Sequence, residues 1–307
     1  MSLAAGLPEK LPEKLPEKPF WPSLRPHRLR RRLGQGAALA LGVVLLIWSL
    51  VPTYNMLLIA LDAEGDTEYA GIIWPAEPTL DSFRVVLTGD YWYLENFWHK
   101  FANSLFIAVM TMLLTLVVGS LASFALGRMR LARGWLLGNF PVLTYAVPAS
   151  FLVIPFYRIM RIYGLSDSLW SVIAADVAFA TPYAILILQQ YAKLIPKELD
   201  EAAEVDGASP LQVYLRIYLP LMAPALAAVG TFALLLAWNE YLYQYLLLTS
   251  DRNMTVAVAI AQFFDADEAP WNYMMATAIV YALPPVAIFF ALRRYMMAGL
   301  TMGSVKG

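Results

Sequence analysis

Long runs of uncharged, mostly apolar residues dominate this sequence. The first extends from Leu33 to Leu61, and a helix needs only about 20 residues to cross a bilayer. The complete runs are Leu33–Leu61, Phe101–Gly127, Gly134–Tyr157, Ile217–Asn239 and Ala269–Leu292, and a further stretch, Ser168–Ala192, contains a single charge at Asp176. Backbone polar groups in lipid must be bonded within their own segment, so the runs predict transmembrane helices.

The composition supports a membrane protein. Hydrophobic residues make up 60% of the chain and the mean hydropathy is +0.57, whereas soluble domains contain about 45–50% apolar residues. We therefore predict an all-α membrane protein with six spans, at about residues 36–61, 102–127, 135–157, 168–190, 221–248 and 272–293. Residues 33–307 form the transmembrane domain. Residues 1–32 are expected to be a disordered basic tail, because the prolines in its Leu-Pro-Glu-Lys repeats preclude a regular helix.

The distribution of basic residues predicts the orientation of the spans. With both termini in the cytoplasm, seventeen of the 22 Lys and Arg residues lie on the cytoplasmic side, as the positive-inside rule requires. The five on the other side are Arg84, Lys100, Arg158, Arg161 and Arg252, of which Arg158 and Arg161 oppose the rule locally. We expect a multi-pass protein of the cytoplasmic membrane in contact with lipid.

Several classes of function find no support in the residues. The 22 basic residues are balanced by 23 acidic ones, which gives no reason to expect nucleic-acid binding, and the chain has no cysteine. No glycine is followed by lysine, so the chain lacks a phosphate-binding loop and cannot hydrolyse ATP itself. The two histidines, His27 and His99, are too distant in sequence and setting to suggest a metal site. No catalytic residue or metal ligand is predicted.

One strongly polar segment interrupts the apolar second half of the chain. Residues 197–220, which we call the elbow, read as two short helices at an angle: Lys197 to Asp206, a stop at Gly207, and a restart with Ser209 as N-cap and Pro210 in the first turn. The first helix has a charged face, Lys197, Asp200, Glu201 and Glu204. The second has an apolar face, Leu211, Tyr214, Leu215 and Tyr218. Read without further context, the elbow is equally a solvated connector between two spans.

The elbow resembles a known motif. Glu201-Ala202-Ala203, then Gly207, Ile217 and Leu219-Pro220 at fixed spacings, is similar to the EAA loop of the inner-membrane permease subunits of ATP-binding-cassette importers. Trp238-Asn239-Glu240 and the C-terminal segment Leu300–Gly307 resemble the carbohydrate-uptake branch, the maltose-type permeases. The resemblance extends from about Leu33 to the C-terminus.

The resemblance implies a fold and a set of partners. It implies the type I importer permease fold with a cytoplasmic coupling loop, residues 191–220, in a prokaryotic inner membrane. The partners would be a second permease in a heterodimer, an ATPase dimer that binds ATP and Mg, and an extracytoplasmic sugar-binding protein that meets the outer loop Ser250–Asn272. The cargo would be a di- or oligosaccharide, and this chain would hold no cofactor. Residues implied to couple to the ATPases are Glu201, Ala202, Ala203, Gly207, Ile217, Leu219 and Pro220, with Gly303, Lys306 and Gly307 in a tail that extends toward them.

Two carboxylates fall inside predicted spans. Asp176 and Glu240 lie near the outer ends of the fourth and fifth spans, and intramembrane carboxylates usually face a bundle interior or a watery cavity. Together with Trp238 and Asn239 they are candidates for a translocation path or its gate. The alternative is that they make structural hydrogen bonds to neighbouring helices or lie at a partially solvated interface.

Two other classes of protein remain as alternatives. A secondary transporter or channel working alone would be expected to show inverted repeats, paired broken helices and several midplane charges, and the sequence shows none of these. A membrane enzyme would need a nucleophile, base or metal constellation, which is likewise missing from the sequence.

Overall fold

The computed structural model describes residues 25–63, 73–129, 140, 143–265 and 270–302. Its regular secondary structure in these ranges is helical, apart from one isolated β-bridge between Asp62 and Pro78. The expectation of an all-α protein is confirmed. The chain divides into two compact units, residues 1–54 and 55–307, which are described separately.

The first unit contains most of one long helix. Helix α1, Arg25–Leu61, has its apolar side chains exposed from Leu33 to Tyr54. It begins within the segment that we expected to be disordered. The reason is local: Pro26 occupies the second helical position, where a missing N–H costs nothing, and the following arginines are good helix formers that let the apolar helix extend backwards. The end of α1, from Asn55, belongs to the second unit.

The second unit is a bundle of helices of unequal length. Its elements in the described residues are α2 Asp81–Thr88, α3 Phe97–Arg128, α4 Ala149–Ile162, α5 Leu169–Ala192, α6 Glu198–Val205, α7 Pro210–Val213, a π-helical turn Tyr214–Tyr218, α8 Leu219–Leu221, α9 Ala223–Asn239, α10 Leu242–Leu247, α11 Val256–Gln262 and α12 Trp271–Met302. Helices α3, α5 and α9 form the centre, and α12 packs on α9 and α2.

Small residues bring the central helices together. A β-carbon added at Gly119 of α3 would lie 2.9 Å from the β-carbon of Ala184 in α5, so only glycine fits there. Further along, Gly127 of α3 faces Ala192 of α5, which shows that the two helices run in the same direction. Helix α9 also approaches α3 closely, because Gly230 of α9 lies beside Leu116 of α3. Such small-residue contacts are the usual basis of helix association in membranes.

Three apolar clusters lie along this bundle. One, around Phe124, Leu188 and Tyr218, is at the end where α3 and α5 terminate. A second, which includes Ile107, Ile173 and Trp238, occupies the middle. The third includes Leu94, Phe97 and Phe263 and lies where α3 begins. The bundle therefore has two distinct ends, and the elbow packs on the first of them.

The helices long and apolar enough to cross a membrane agree with most of the predicted spans. In the described residues they are Leu33–Leu61, Phe97–Arg128, Leu169–Ala192 and Trp271–Arg293, and the pair Pro210–Leu221 and Ala223–Asn239, bent by 79°, makes a fifth if it is counted as one span. The third predicted span, residues 135–157, falls partly outside the described residues. Its described part contains the turn Thr144–Ala146 and the start of α4, which continues past the predicted span to Ile162, so the number of six spans stays a prediction.

The predicted fifth span, residues 221–248, is interrupted. Helix α9 ends at Asn239, Glu240 has extended backbone angles, and α10 starts at Leu242. The cause is the Glu240 carboxylate, which accepts hydrogen bonds from the backbone N–H groups of Tyr243, at 2.7 Å, and Gln244, at 3.0 Å. A side chain that caps the N-terminus of a new helix stops the preceding one.

A polar junction fastens the chain that follows α10 at the end of the bundle where α3 begins. Asp167, in the turn between α4 and α5, accepts hydrogen bonds at Oδ1 from the backbone N–H groups of Thr249, at 2.8 Å, and Ser250, at 3.0 Å. Burial raises the pKa of the Asp167 carboxyl, but the hydrogen bonds from Ser250 and Thr249 outweigh burial, so its pKa lies below the ordinary value.

The start of α3 contributes the rest of this junction. The Asn103 amide donates to the carbonyls of Arg252 and Met254, both at 2.9 Å. The buried Lys100 ammonium lies 3.1 Å from the carboxylate of Asp251. The segment 249–254 is thus held by α3 and by the turn before α5.

Candidate functional site

The first arm of the elbow ends as the sequence predicts. Helix α6 stops at Val205, and Gly207 adopts the left-handed backbone region with φ +80°. The N–H of Ala208 donates to the carbonyl of Ala203 at 2.9 Å and closes the helix end. Outside its chain neighbours, no described heavy atom lies within 4 Å of the position that a β-carbon on Gly207 would take. Glycine is therefore required there by backbone conformation and not by crowding.

The second arm starts with a capping box. The N–H of Gln212 donates to the Ser209 hydroxyl at 3.4 Å, and the N–H of Ser209 donates to the Gln212 side chain at 2.7 Å. Pro210 follows in the first turn, as predicted. The two arms are thus independent helices joined by a glycine turn.

The second arm differs from the predicted apolar face. Tyr214 and Tyr218 are buried, but Leu211 and Leu215 are exposed, and Val213 is buried in their place. The reason is the π-helical turn Tyr214–Tyr218, whose wider winding rotates the side chains relative to a regular helix. Single-turn π segments occur frequently at functional sites.

Hydroxyl pairs join the second arm to α3. The Tyr214 hydroxyl lies 2.7 Å from that of Ser120, and the Tyr218 hydroxyl lies 2.9 Å from that of Ser123. The Phe124 ring packs edge-on against both tyrosines. Each buried polar group of the arm therefore has a partner on one helix.

An ion pair joins the first arm to the same helix. Arg128, at the end of α3, places Nη1 2.9 Å from Oδ2 of Asp200, and its Nη2 donates to the carbonyls of Ala192, at 3.2 Å, and Ile195, at 3.0 Å. The pair is mostly buried, with side-chain exposures of 6% for Arg128 and 18% for Asp200. From the sequence, Arg128 was only one of the seventeen basic residues on the cytoplasmic side, and Asp200 was part of the charged face of the first helix.

The charged face of α6 borders a cleft of about 600 Å³ between the elbow and the end of α3. Its lining residues are Phe124, Arg128, Met129, Lys197, Asp200, Glu201, Glu204, Ala208, Pro210 and Val213. The residues predicted to form the charged face are thus brought together with the end of α3. The cleft offers both charge signs to a partner surface.

The residues predicted to couple to the ATPases divide into two groups. Ala203, Ile217 and Leu219 are partly buried and pack on the apolar cluster at this end of the bundle. The others, Glu201, Ala202, Gly207 and Pro220, are exposed. One group packs on the bundle and the other is exposed to solvent, with Glu201 bordering the cleft. The tail residues Gly303, Lys306 and Gly307 lie outside the described residues.

The four candidates for a translocation path have different surroundings. Asp176 is completely buried, and neither of its carboxyl oxygens has a hydrogen-bond partner among the described residues. Trp238 is buried against the ring of Tyr281, with ring centroids 4.7 Å apart. Glu240 caps α10, and Asn239 is exposed. Of these four residues Asn239 is the one with an exposed side chain, and its amide also donates to the carbonyl of Leu235 at 2.8 Å.

No group of metal-ligand side chains is found in the part of the chain that the structure describes. The exposed His99 lies with Nε2 2.7 Å from the carbonyl of Arg252 and so belongs to the polar junction. His27 lies in α1, and its side chain is outside the described residues.

Comparison with known proteins assigns the chain to a family. Residues 115–301 match the family described as binding-protein-dependent transport system inner membrane component. The chain is 32% identical to the diacetylchitobiose uptake system permease protein DasC of Streptomyces coelicolor over 268 residues, which cover 86% of this chain and 95% of the relative. It is 33% identical to the trehalose transport system permease protein SugB of Mycobacterium tuberculosis over 239 residues, 77% and 85% of the two chains.

A solved structure has the same fold. A chain of a bacterial transporter involved in the import of the acidic polysaccharide alginate superposes with a TM-score of 0.73 at 21% identity, over 91% of this chain and 99% of that one. The matched family segment contains the whole elbow, Arg128 and all four candidate path residues. The chain therefore belongs to the family of binding-protein-dependent transport system inner membrane components, the permease subunits of ATP-binding-cassette importers.

Proposed function

We propose that this permease imports a di- or oligosaccharide and that its elbow transmits the force of ATP hydrolysis from partner subunits. The elbow carries the proposal, because one group of its residues, with Glu201, is exposed at the cleft while the other group packs on the apolar cluster at this end of the bundle. A segment with one rigid attachment and one free polar face is suited to dock into another protein and to move the bundle behind it.

The choice of cargo rests on the relatives. The printed names of DasC and SugB concern diacetylchitobiose and trehalose, which are both disaccharides. In this chain the exposed Asn239, Tyr241 and Tyr245 follow one another at the break between α9 and α10, with the two tyrosine rings 5.5 Å apart. Amide and aromatic side chains are suited to bind sugar hydroxyls and ring faces. These residues support a carbohydrate path that includes Asn239, with Trp238 and Glu240 fixing the backbone beside it.

The partners follow from the family. The chain has no phosphate-binding loop, so ATP and Mg would be bound by an ATPase dimer, and a second permease would complete the path. A sugar-binding protein would meet the end of the bundle opposite the elbow. Closure of the ATPases would then tilt the helices and exchange an inward-open for an outward-open cavity.

Both termini and the elbow are proposed to be cytoplasmic. A reporter fused after Lys193 should report the cytoplasm and one fused near Asp267 the exterior. The reverse pattern would remove the ATPases from reach of the elbow and exclude the proposal.

Purification of the tagged chain from native membranes tests the assembly. An ATPase subunit and a second permease should be recovered with it, and the reconstituted complex with its binding protein should import labelled trehalose or diacetylchitobiose. Recovery of the chain alone in an active form would instead support a stand-alone transporter.

A further inference from the structure

One guanidinium group links the ends of three helices. Arg128 is the last residue of α3. It donates to the carbonyls of Ala192, at the end of α5, and of Ile195, just beyond that end. It also pairs with the carboxylate of Asp200 in α6. The carbonyls at a helix end have no partner within their own helix, so Arg128 also completes the hydrogen bonding of α5. A guanidinium can do this because its planar fork presents several donors at once, which the single ammonium of lysine cannot reproduce.

These contacts lie on both sides of the connection between α5 and α6. Ala192 and Ile195 stand at its start and Asp200 stands after it, so bending of the connection would separate Arg128 from one side or the other. Because the ion pair is mostly buried, its separation would leave a poorly solvated charge, which is strongly unfavourable. The connection is thus stiffened by a residue that is distant in sequence.

The second arm of the elbow is attached to the same part of α3. Tyr214 and Tyr218 bond to Ser120 and Ser123, which lie within the last three turns before Arg128. Both arms are therefore fastened to α3 on either side of the glycine turn at Gly207. The elbow cannot swing on either arm while these contacts remain.

We propose that Arg128 is the positioning residue that makes the elbow, α3 and α5 move as one body, so that a push on the elbow tilts these two helices. The inference rests on the proposed coupling function and adds the element that receives the force. A peripheral elbow with a loose connection would absorb the push by bending at residues 193–197. The Arg128–Asp200 pair removes that freedom.

The test compares Arg128→Gln, Asp200→Asn and the double variant in the complete complex, reconstituted with its binding protein. We expect each single variant to assemble with the ATPase at wild-type yield. The amount of sugar imported per ATP hydrolysed should fall at least about fivefold in each single variant. The probe is trehalose or diacetylchitobiose, whichever the wild type imports. The double variant should be no worse than the singles, because the two residues act as a unit. Asp200→Asn leaves the carbonyl contacts of Arg128 in place, so it is informative even if Arg128→Gln fails to assemble.

A second measurement does not depend on transport. Amide hydrogen exchange in α6 should be at least about tenfold faster in Asp200→Asn than in the wild type. The matched control is Arg84→Gln, which breaks an ion pair with Asp81 whose side chains are exposed by 70% and 54%, and it should change neither readout.

Different results would overturn the proposed function and the role of Arg128. A wild-type complex that binds no ATPase would overturn the proposed function, whatever the variants do. Wild-type coupling and wild-type exchange in an assembled Asp200→Asn complex would overturn the role of Arg128 and leave the proposed function standing.

Discussion

The hydroxyl oxygens of Tyr214 and Ser120 lie 2.7 Å apart and join the second arm of the elbow to α3. Tyr214→Phe removes this buried hydrogen bond without changing the packing of the ring. We expect a loss of about 1 kcal/mol in the stability of the purified complex, measured as a lower midpoint of thermal unfolding. Tyr163→Phe, at a side chain that is 72% exposed, should have no effect. An equal loss in both variants would mean that the hydroxyl pair does not hold the arm.

Gly207 tests whether backbone conformation alone sets the angle of the elbow. The space that a β-carbon at Gly207 would enter is open, so a bulky side chain meets no neighbour at that position. Gly207→Ala and Gly207→Leu should therefore destabilise the elbow similarly, by roughly 1–2 kcal/mol, and Gly207→Asn should cost less, since asparagine tolerates the left-handed region. Amide exchange in α6 and α7 provides the measurement. A much larger effect of leucine than of alanine would show that the site is crowded.

The elbow also shows what could be read from the sequence. The C-terminus of α6 and the N-terminus of α7 were predicted, because a glycine that stops a helix and a serine that caps one act on residues two to four positions away. The pairing of Arg128 with Asp200 could not be predicted, because no local pattern connects residues so far apart. The predicted apolar face of the second arm, which contains Tyr214 and Tyr218, was partly wrong. The prediction assumed regular helical winding, and the arm contains a π-helical turn.

The same distinction explains the break at Glu240. Glu240 was predicted to be a carboxylate inside the fifth span. Hydropathy gives no sign that its side chain caps a new helix. At the break the backbone of Glu240 is extended, and its carboxylate accepts hydrogen bonds from the N–H groups of Tyr243 and Gln244, two residues that are buried in the core. Apolar runs therefore predicted where helices lie, and a side-chain cap decided where this one ends.

Substitutions at Glu240 separate capping from charge. Glu240→Gln retains one oxygen that can accept from the N-terminus of α10, whereas Glu240→Ala removes both, so alanine should lower stability by about 1 kcal/mol more. We expect import to fall in both variants, and further in alanine, because the break between α9 and α10 borders the proposed path. Asp176→Asn is the companion variant, since it replaces a buried carboxyl without removing any hydrogen bond found in the described residues. Unchanged import in Glu240→Ala would exclude a role for this break.

The polar junction at Asp167 should respond to acid. Because the pKa of this carboxyl is lowered by folding, its contribution is complete above the unfolded value of about 3.9 and is lost as the pH falls through the folded value. Exchange of the Thr249 and Ser250 amides, corrected for the intrinsic effect of pH, should accelerate below about pH 4 in the wild type. In Asp167→Ala, which removes the accepting oxygen, it should be fast at every pH. Equal pH profiles for the two proteins would show that this carboxylate does not hold segment 249–254.

Replacement of Glu201 tests the central claim most directly. Glu201 is exposed and borders the cleft between the elbow and α3, so Glu201→Ala opens no core, and the permease should insert and assemble normally. In vesicles containing the reconstituted complex, we expect sugar uptake to fall at least about tenfold, equivalent to ~1.4 kcal/mol. The stimulation of ATP hydrolysis by the loaded binding protein should fall as well. Glu95→Ala, an exposed glutamate at the opposite end of α3, should behave as the wild type. Wild-type uptake and wild-type stimulation in Glu201→Ala would contradict the assignment of the elbow as the site of coupling.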